Sequence, residues 1–186
     1  MGISPVDRRR AAVFLDRDGT LVRTSVTNGV PVPAHTVAEL DVLPGVTEAL
    51  DRLRRVGFAL VMVTNQPDVA RGTLERGTVE DMHAWLRHKL ALDEIACCYH
   101  DDADACTCRK PLPGMLVDVA ERLDIPLADS FMVGDRWRDV EAGKRAGCRT
   151  ILLRHAYSGT SVQADFEALD LREAAEIILR CWEERT

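Results

Sequence analysis

The sequence has no apolar run approaching the roughly 18 residues that a membrane-crossing helix needs. Its first ten residues, MGISPVDRRR, carry charge but no apolar stretch before AAVFLD, so they do not read as a secretory signal. A cytoplasmic protein without a membrane partner is expected. Basic charge is not in excess either: the formal net charge is -6. That disfavours a nucleic-acid partner held by bulk electrostatics, which wants a basic face. It leaves room for a small anionic substrate, because a pocket can be locally positive inside an acidic protein. There is no internal repeat and no low-complexity segment.

The 186 residues suit one domain of ordinary size, spanning 1–186, and a monomer is expected. Hydrophobic residues at 46% and charged residues at 29% give a normal globular balance. Short apolar runs alternate with helical patterns. Strands are expected at 11–15, 58–63, 95–99, 130–133 and 149–153. Helices are expected at 43–57, 78–92, 114–123, 139–146 and 171–182, where apolar residues recur on one face. Strands apolar throughout and separated by helices predict an α/β fold: a Rossmann-like parallel sheet with helices on both faces and no large cap domain. Two stretches break the alternation, 23–41 and 100–113, and both are expected to hang over the strand ends.

In such sheets ligands sit beyond the carboxyl ends of the strands. Three strands here end in polar tails: DRDGT, TNQ and GDRWRD. Asp16 and Asp18 can face one point if the chain turns at Gly19. Like charges held together want a cation, and a hard ion such as Mg²⁺ supplies one through oxygen ligands. A carboxylate beside a phosphate is also a competent nucleophile, and its neighbour can work as acid and base. Taken alone, the pair is equally a solvated turn. Thr64 could hold phosphate oxygens, or simply cap a loop. Lys110 could offset charge on a transferring phosphoryl group, and Arg109 offers a fork suited to phosphate. Asp135 is the natural third carboxylate for a metal. Asp139 is expected to stabilise the start of a helix.

Taken in order, FLDRDGTL, VTNQ, RKP and VGDRWRD resemble the four motifs of the haloacid dehalogenase superfamily of phosphohydrolases. The resemblance implies Asp16 as nucleophile and Asp18 as general acid and base. It implies Mg²⁺ held by Asp16, the main-chain carbonyl of Asp18, and Asp135. Thr64 and Lys110 would hold the phosphoryl group. Within the superfamily, VTNQPDVARG, CRKPLPGM and MVGD resemble the heptose 1,7-bisphosphate 7-phosphatase branch, whose relatives include histidinol-phosphate phosphatases. That implies a small sugar-phosphate substrate touched by Asn65, Gln66, Arg109 and Arg136. Pro67, Arg136 and the segment RTSVTNGVPVPAH depart from the branch's pattern.

Four of the six cysteines fall within twelve residues. Cys98 and His100, then Cys106 and Cys108, form C-x-H and C-x-C pairs suited to tetrahedral Zn²⁺. The branch carries the same knuckle, here in a loop of about 97–110. Cys97 is an alternative first ligand, and Cys98 is preferred because it keeps C-x-H. Four protein ligands leave no open position for water, so the zinc is expected to be structural. Two other readings stand beside the heptose one: a phosphatase for histidinol phosphate or another small phosphomonoester, and a non-catalytic zinc-stabilised binding module. His35, His83, His88 and His155 have no metal spacing and no visible partner, so no functional role is expected of them; His83 and His88, in a helical pattern, are expected to be solvated or half-buried.

Overall fold

The computed structural model describes residues 10–27, 30–155 and 162–185, so most of MGISPVDRRR lies outside the described residues. Eight strands and five helices follow in chain order. They are β1 (Ala12–Leu15), β2 (Ser25–Thr27), β3 (Val30–Val32), α1 (Val46–Arg55), β4 (Ala59–Asn65), α2 (Arg76–Leu90) and β5 (Glu94–Cys98). Then come α3 (Gly114–Leu123), β6 (Phe131–Gly134), α4 (Trp137–Ala146), β7 (Arg149–Leu153), β8 (Phe166–Ala168) and α5 (Leu171–Glu183).

Six strands form one parallel sheet in the order β5-β4-β1-β6-β7-β8. The apolar strands are buried on both faces, as continuous hydrophobic runs require. Val13 and Leu15 pack with residues of α1, α2 and α5. Ala12 and Phe14 pack on the opposite face with residues of α3 and α4. Each fully buried Leu or Phe contributes about 1.5–3 kcal/mol. The strand ends are therefore fixed by the core beneath them. Among the described residues, no helix is long and apolar enough to cross a membrane.

The expected α/β sheet is present, with two additions. The 23–41 connection contains the antiparallel β2–β3 hairpin. A sixth strand, β8, pairs Phe166–Ala168 with Ile151–Leu153. Three-residue strands are too short for a hydrophobic period to reveal. Helix ends shift by a few residues from expectation. α4 begins at Trp137, two residues early, and closes on Gly147 in the left-handed conformation at φ 84°.

Because the strands are parallel, Asp16, Asn65 and Asp135 all leave the sheet at one edge. The order β4-β1-β6 places the three tails side by side around Asp16.

Candidate active site

The chain turns immediately beyond β1. Gly19 adopts φ 81°, a conformation L side chains rarely take. Gly19 N–H donates to Val22 O at 2.8 Å, and Leu21 and Val22 N–H both donate to Arg17 O. The tight loop holds Asp16 and Asp18 on the cleft wall.

Lys110 Nζ lies 2.6 Å from Asp16 Oδ1, 2.6 Å from Asp139 Oδ1 and 2.8 Å from Val63 O. Lys110 as a whole is only 2% exposed. Burial pulls its pKa down, but Asp139 and Asp16 outweigh that and hold it above the ordinary range, so it stays charged. The Asp139 carboxyl is pushed up to about 6 by burial, against the pull of Lys110. Asp139 Oδ2 also accepts from Arg136 N–H at 3.0 Å, at the start of α4. The expected helix-capping role is there, but Asp139 also grips the lysine. Gly134 makes this possible: a Cβ at that position would meet Asp139 Cγ at 2.4 Å.

Side-chain oxygens of Asp16, Asp135 and Asp139 lie within 4.8 Å of one another. Three carboxylates so close suit a hard divalent cation. Asp139 has committed both oxygens to Lys110 and Arg136, which leaves Asp16 and the fully buried Asp135 better placed to hold a metal.

Gln66 Nε2 donates to Thr64 Oγ1 at 3.0 Å and Asp18 Oδ2 at 3.2 Å. Asn65 accepts from Lys110 N–H at 3.1 Å and donates to Lys110 O at 2.9 Å. Its amide, expected to touch substrate, is spent on aiming the lysine's backbone. Arg109 Nε donates to Asp102 Oδ1 at 2.8 Å and Nη1 to His100 O at 3.2 Å. That ties the arginine to the cysteine loop while it still lines the cleft. Arg136 stands at the cleft with Nε 4.0 Å from Asp135 Oδ2.

The cleft also has Arg71 and Arg138 in its wall, which sequence reasoning missed. With Arg109, Lys110 and Arg136 they give it a cationic side inside an acidic protein. Two further residues were missed. Arg17 is fully buried against Asp18, and His83 is buried against Arg17 rather than solvated or half-buried. Their signal was faint, because a buried arginine cannot be told from a solvated one by residue type. His155, expected to have no role, has Nε2 2.8 Å from Gly19 O, the loop glycine.

Beyond β5, Cys98, His100, Cys106 and Cys108 meet in one cluster. Cys108 Sγ lies 3.2 Å from Cys98 Sγ and 3.3 Å from His100 Nδ1, and Cys98 Sγ lies 3.7 Å from Cys106 Sγ. The edge of a tetrahedron of sulfurs about 2.3 Å from zinc is about 3.7 Å. Cys97 lies outside the cluster.

Residues 32–147, more than half the chain, match the family described as haloacid dehalogenase-like hydrolase. The chain is 36% identical over 166 residues to the D-glycero-β-D-manno-heptose-1,7-bisphosphate 7-phosphatase of Photorhabdus laumondii, covering 83% of this chain and 85% of that one. It is 38% identical over 154 residues to the enzyme of the same name from Escherichia coli K12, covering 76% and 78%. The solved D,D-heptose 1,7-bisphosphate phosphatase of B. bronchiseptica, complexed with magnesium and phosphate, superposes with TM-score 0.79 at 32% identity. That match covers 92% of this chain and 98% of that one. The chain therefore belongs to the haloacid dehalogenase-like hydrolases, and it is a phosphatase. Within that family its named relatives here are heptose-1,7-bisphosphate 7-phosphatases.

Proposed function

We propose that the chain is a magnesium-dependent phosphomonoesterase that works through an aspartyl-phosphate on Asp16. Its substrate is a small sugar phosphate, D-glycero-D-manno-heptose 1,7-bisphosphate, from which it removes the 7-phosphate. The single observation that carries the chemistry is the buried Asp16–Lys110–Asp139 arrangement opening onto a cleft with a cationic side. The heptose assignment rests on the similarity of the named relatives across most of their length.

Asp16 attacks phosphorus, and the bond to the sugar oxygen breaks. Asp18 gives its proton to that oxygen. Lys110 and Thr64 hold the phosphoryl oxygens as charge builds on them. In the second half, Asp18 takes a proton from water as the water oxygen attacks phosphorus. The bond to Asp16 breaks, and inorganic phosphate leaves. Asp16, Asp135 and the Asp18 carbonyl would hold Mg²⁺, which supplies charge neutralisation between the carboxylates and the phosphate. Gln66, Arg109 and Arg136 contact the substrate around the cleft mouth, and Asn65 fixes Lys110.

The test is phosphate release with Mg²⁺ across a panel of small phosphomonoesters. Heptose 1,7-bisphosphate should be turned over fastest, losing only its 7-phosphate. Preference for histidinol phosphate would replace the substrate assignment. Hydrolysis of nothing in the panel would favour the non-catalytic module.

Zinc is assigned to Cys98, His100, Cys106 and Cys108, in a structural role. Cys106→Ser should empty the site and lower turnover about 10–100-fold, the usual cost of disturbing the support around a site. Metal analysis checks it: wild-type zinc content in the variant would refute the ligand set.

A further inference from the structure

The two carboxyl oxygens of Asp18 have very different surroundings. Oδ2 lies 2.9 Å from Arg17 Nε, 2.9 Å from Arg17 Nη2 and 3.2 Å from Gln66 Nε2. Oδ1 is buried and has no hydrogen-bond partner among the described residues. Arg17 Nε and Gln66 Nε2 donate hydrogen bonds to Oδ2, and with Nη2 in contact they fix the carboxyl group in one orientation.

The fork that crowds Oδ2 is held from behind. The Arg17 side chain is 0% exposed, and its Nη1 lies 3.4 Å from Nε2 of His83 on α2. His83 is 6% exposed. Burial first, and the neighbouring guanidinium second, lower its pKa from 6.5 to about 4. The imidazole is therefore neutral near pH 7, and its Nε2 can accept from the guanidinium. A buried arginine is costly unless each part of it is matched. Here Nε donates to a carboxylate oxygen and Nη1 faces a neutral ring nitrogen, while Nη2 is matched by the charge of the same carboxylate without an aligned hydrogen bond among the described residues.

We infer that Arg17 and His83 are positioning residues that lock the carboxyl group of Asp18 in the orientation its proton transfers need. The inference rests on the proposed acid–base role of Asp18. In the first half-reaction the carboxyl group gives its proton to the sugar oxygen as the phosphorus–oxygen bond breaks. In the second, it takes a proton from the attacking water. Oδ2 stays bonded to Arg17 and Gln66 throughout. His83 touches neither substrate nor Asp18 and acts only through the guanidinium.

Dependence on the leaving group tests this, because a misplaced proton donor matters only when the leaving oxygen needs a proton. Single-turnover phosphoryl transfer would be measured on the sugar phosphate and on p-nitrophenyl phosphate, whose leaving oxygen departs without help. Arg17→Gln and His83→Leu should lose about 10–100-fold more rate on the sugar phosphate than on the aryl ester, part of the usual contribution of an acid–base group. His83→Gln, which restores an acceptor toward Arg17, should recover most of that difference. Equal losses on both esters in folded variants would overturn the inference, as would a His83→Gln variant no better than His83→Leu. Thermal melts establish folding, and His83→Leu decides the matter if Arg17→Gln does not fold. Asp18→Asn, run alongside, separates the two layers. Selective loss there without selective loss in the others defeats only the positioning. Equal loss on both esters in Asp18→Asn defeats the acid–base role, and the positioning with it.

Discussion

Asp16→Asn is expected to lower turnover by about 10⁴-fold or more, as removal of a covalent nucleophile does, while leaving the fold in place. The substitution is nearly isosteric. Lys110 keeps its contact with Asp139 and with Val63 O. One of three crowded carboxylates becomes neutral, which relieves repulsion among Asp16, Asp135 and Asp139 in metal-free protein. The melting temperature should therefore move by only a few degrees. Phosphate release under saturating substrate and Mg²⁺ is the measurement. More than about 1% of wild-type turnover remaining would exclude Asp16 as the atom that takes the phosphoryl group.

Lys110→Met should affect both activity and stability. Turnover should fall by about 10²–10³-fold or more, the range seen on losing one donor to a developing negative charge. In metal-free buffer the variant should also lose about 3–5 kcal/mol, because removing one partner of a buried pair strands the other. Here two carboxylates, Asp16 and Asp139, are stranded within reach of a third. Saturating Mg²⁺ should recover part of that loss, since a second cation can take over the charge. Denaturant unfolding with and without chelator checks it. A destabilisation unchanged by Mg²⁺ would mean that lysine and metal do not share one carboxylate cluster.

The residues that end strands were the most legible. β1, β4 and β6 are apolar without interruption, so the polar tails after them stand out, and parallel pairing brings those tails together. The cysteine loop was legible because thiol spacing is a local signal. What escaped the sequence depends on distance in the chain. Arg17 lies between two carboxylates already assigned to chemistry, and its partner His83 is 66 residues away on a helix. Arg71 and Arg138 sit inside VTNQPDVARG and VGDRWRD, but residue type and spacing do not say which arginines of a motif turn to the cleft; the chain's course after β4 and β6 decides that. Asn65 and Gln66 were legible as site residues, but not in their bonding. Whether an amide faces substrate, a backbone or another side chain is decided by the fold around it.

Thr64 pairs with Cys97, and Asn65 with Cys98, where β4 and β5 run side by side. One residue further on, Gln66 N–H donates to Cys98 O at 2.7 Å. The Gln66 side chain in turn reaches Asp18. The backbone of Cys98, a proposed zinc ligand, is thus only two hydrogen bonds from the carboxyl group proposed to handle the proton. On the proposed zinc assignment, an oxidant or chelator that empties the thiol cluster would disturb the seat of Gln66, and through it Asp18, without entering the cleft. The enzyme's chemistry would then track the redox and metal supply of its surroundings as well as the concentration of its substrate.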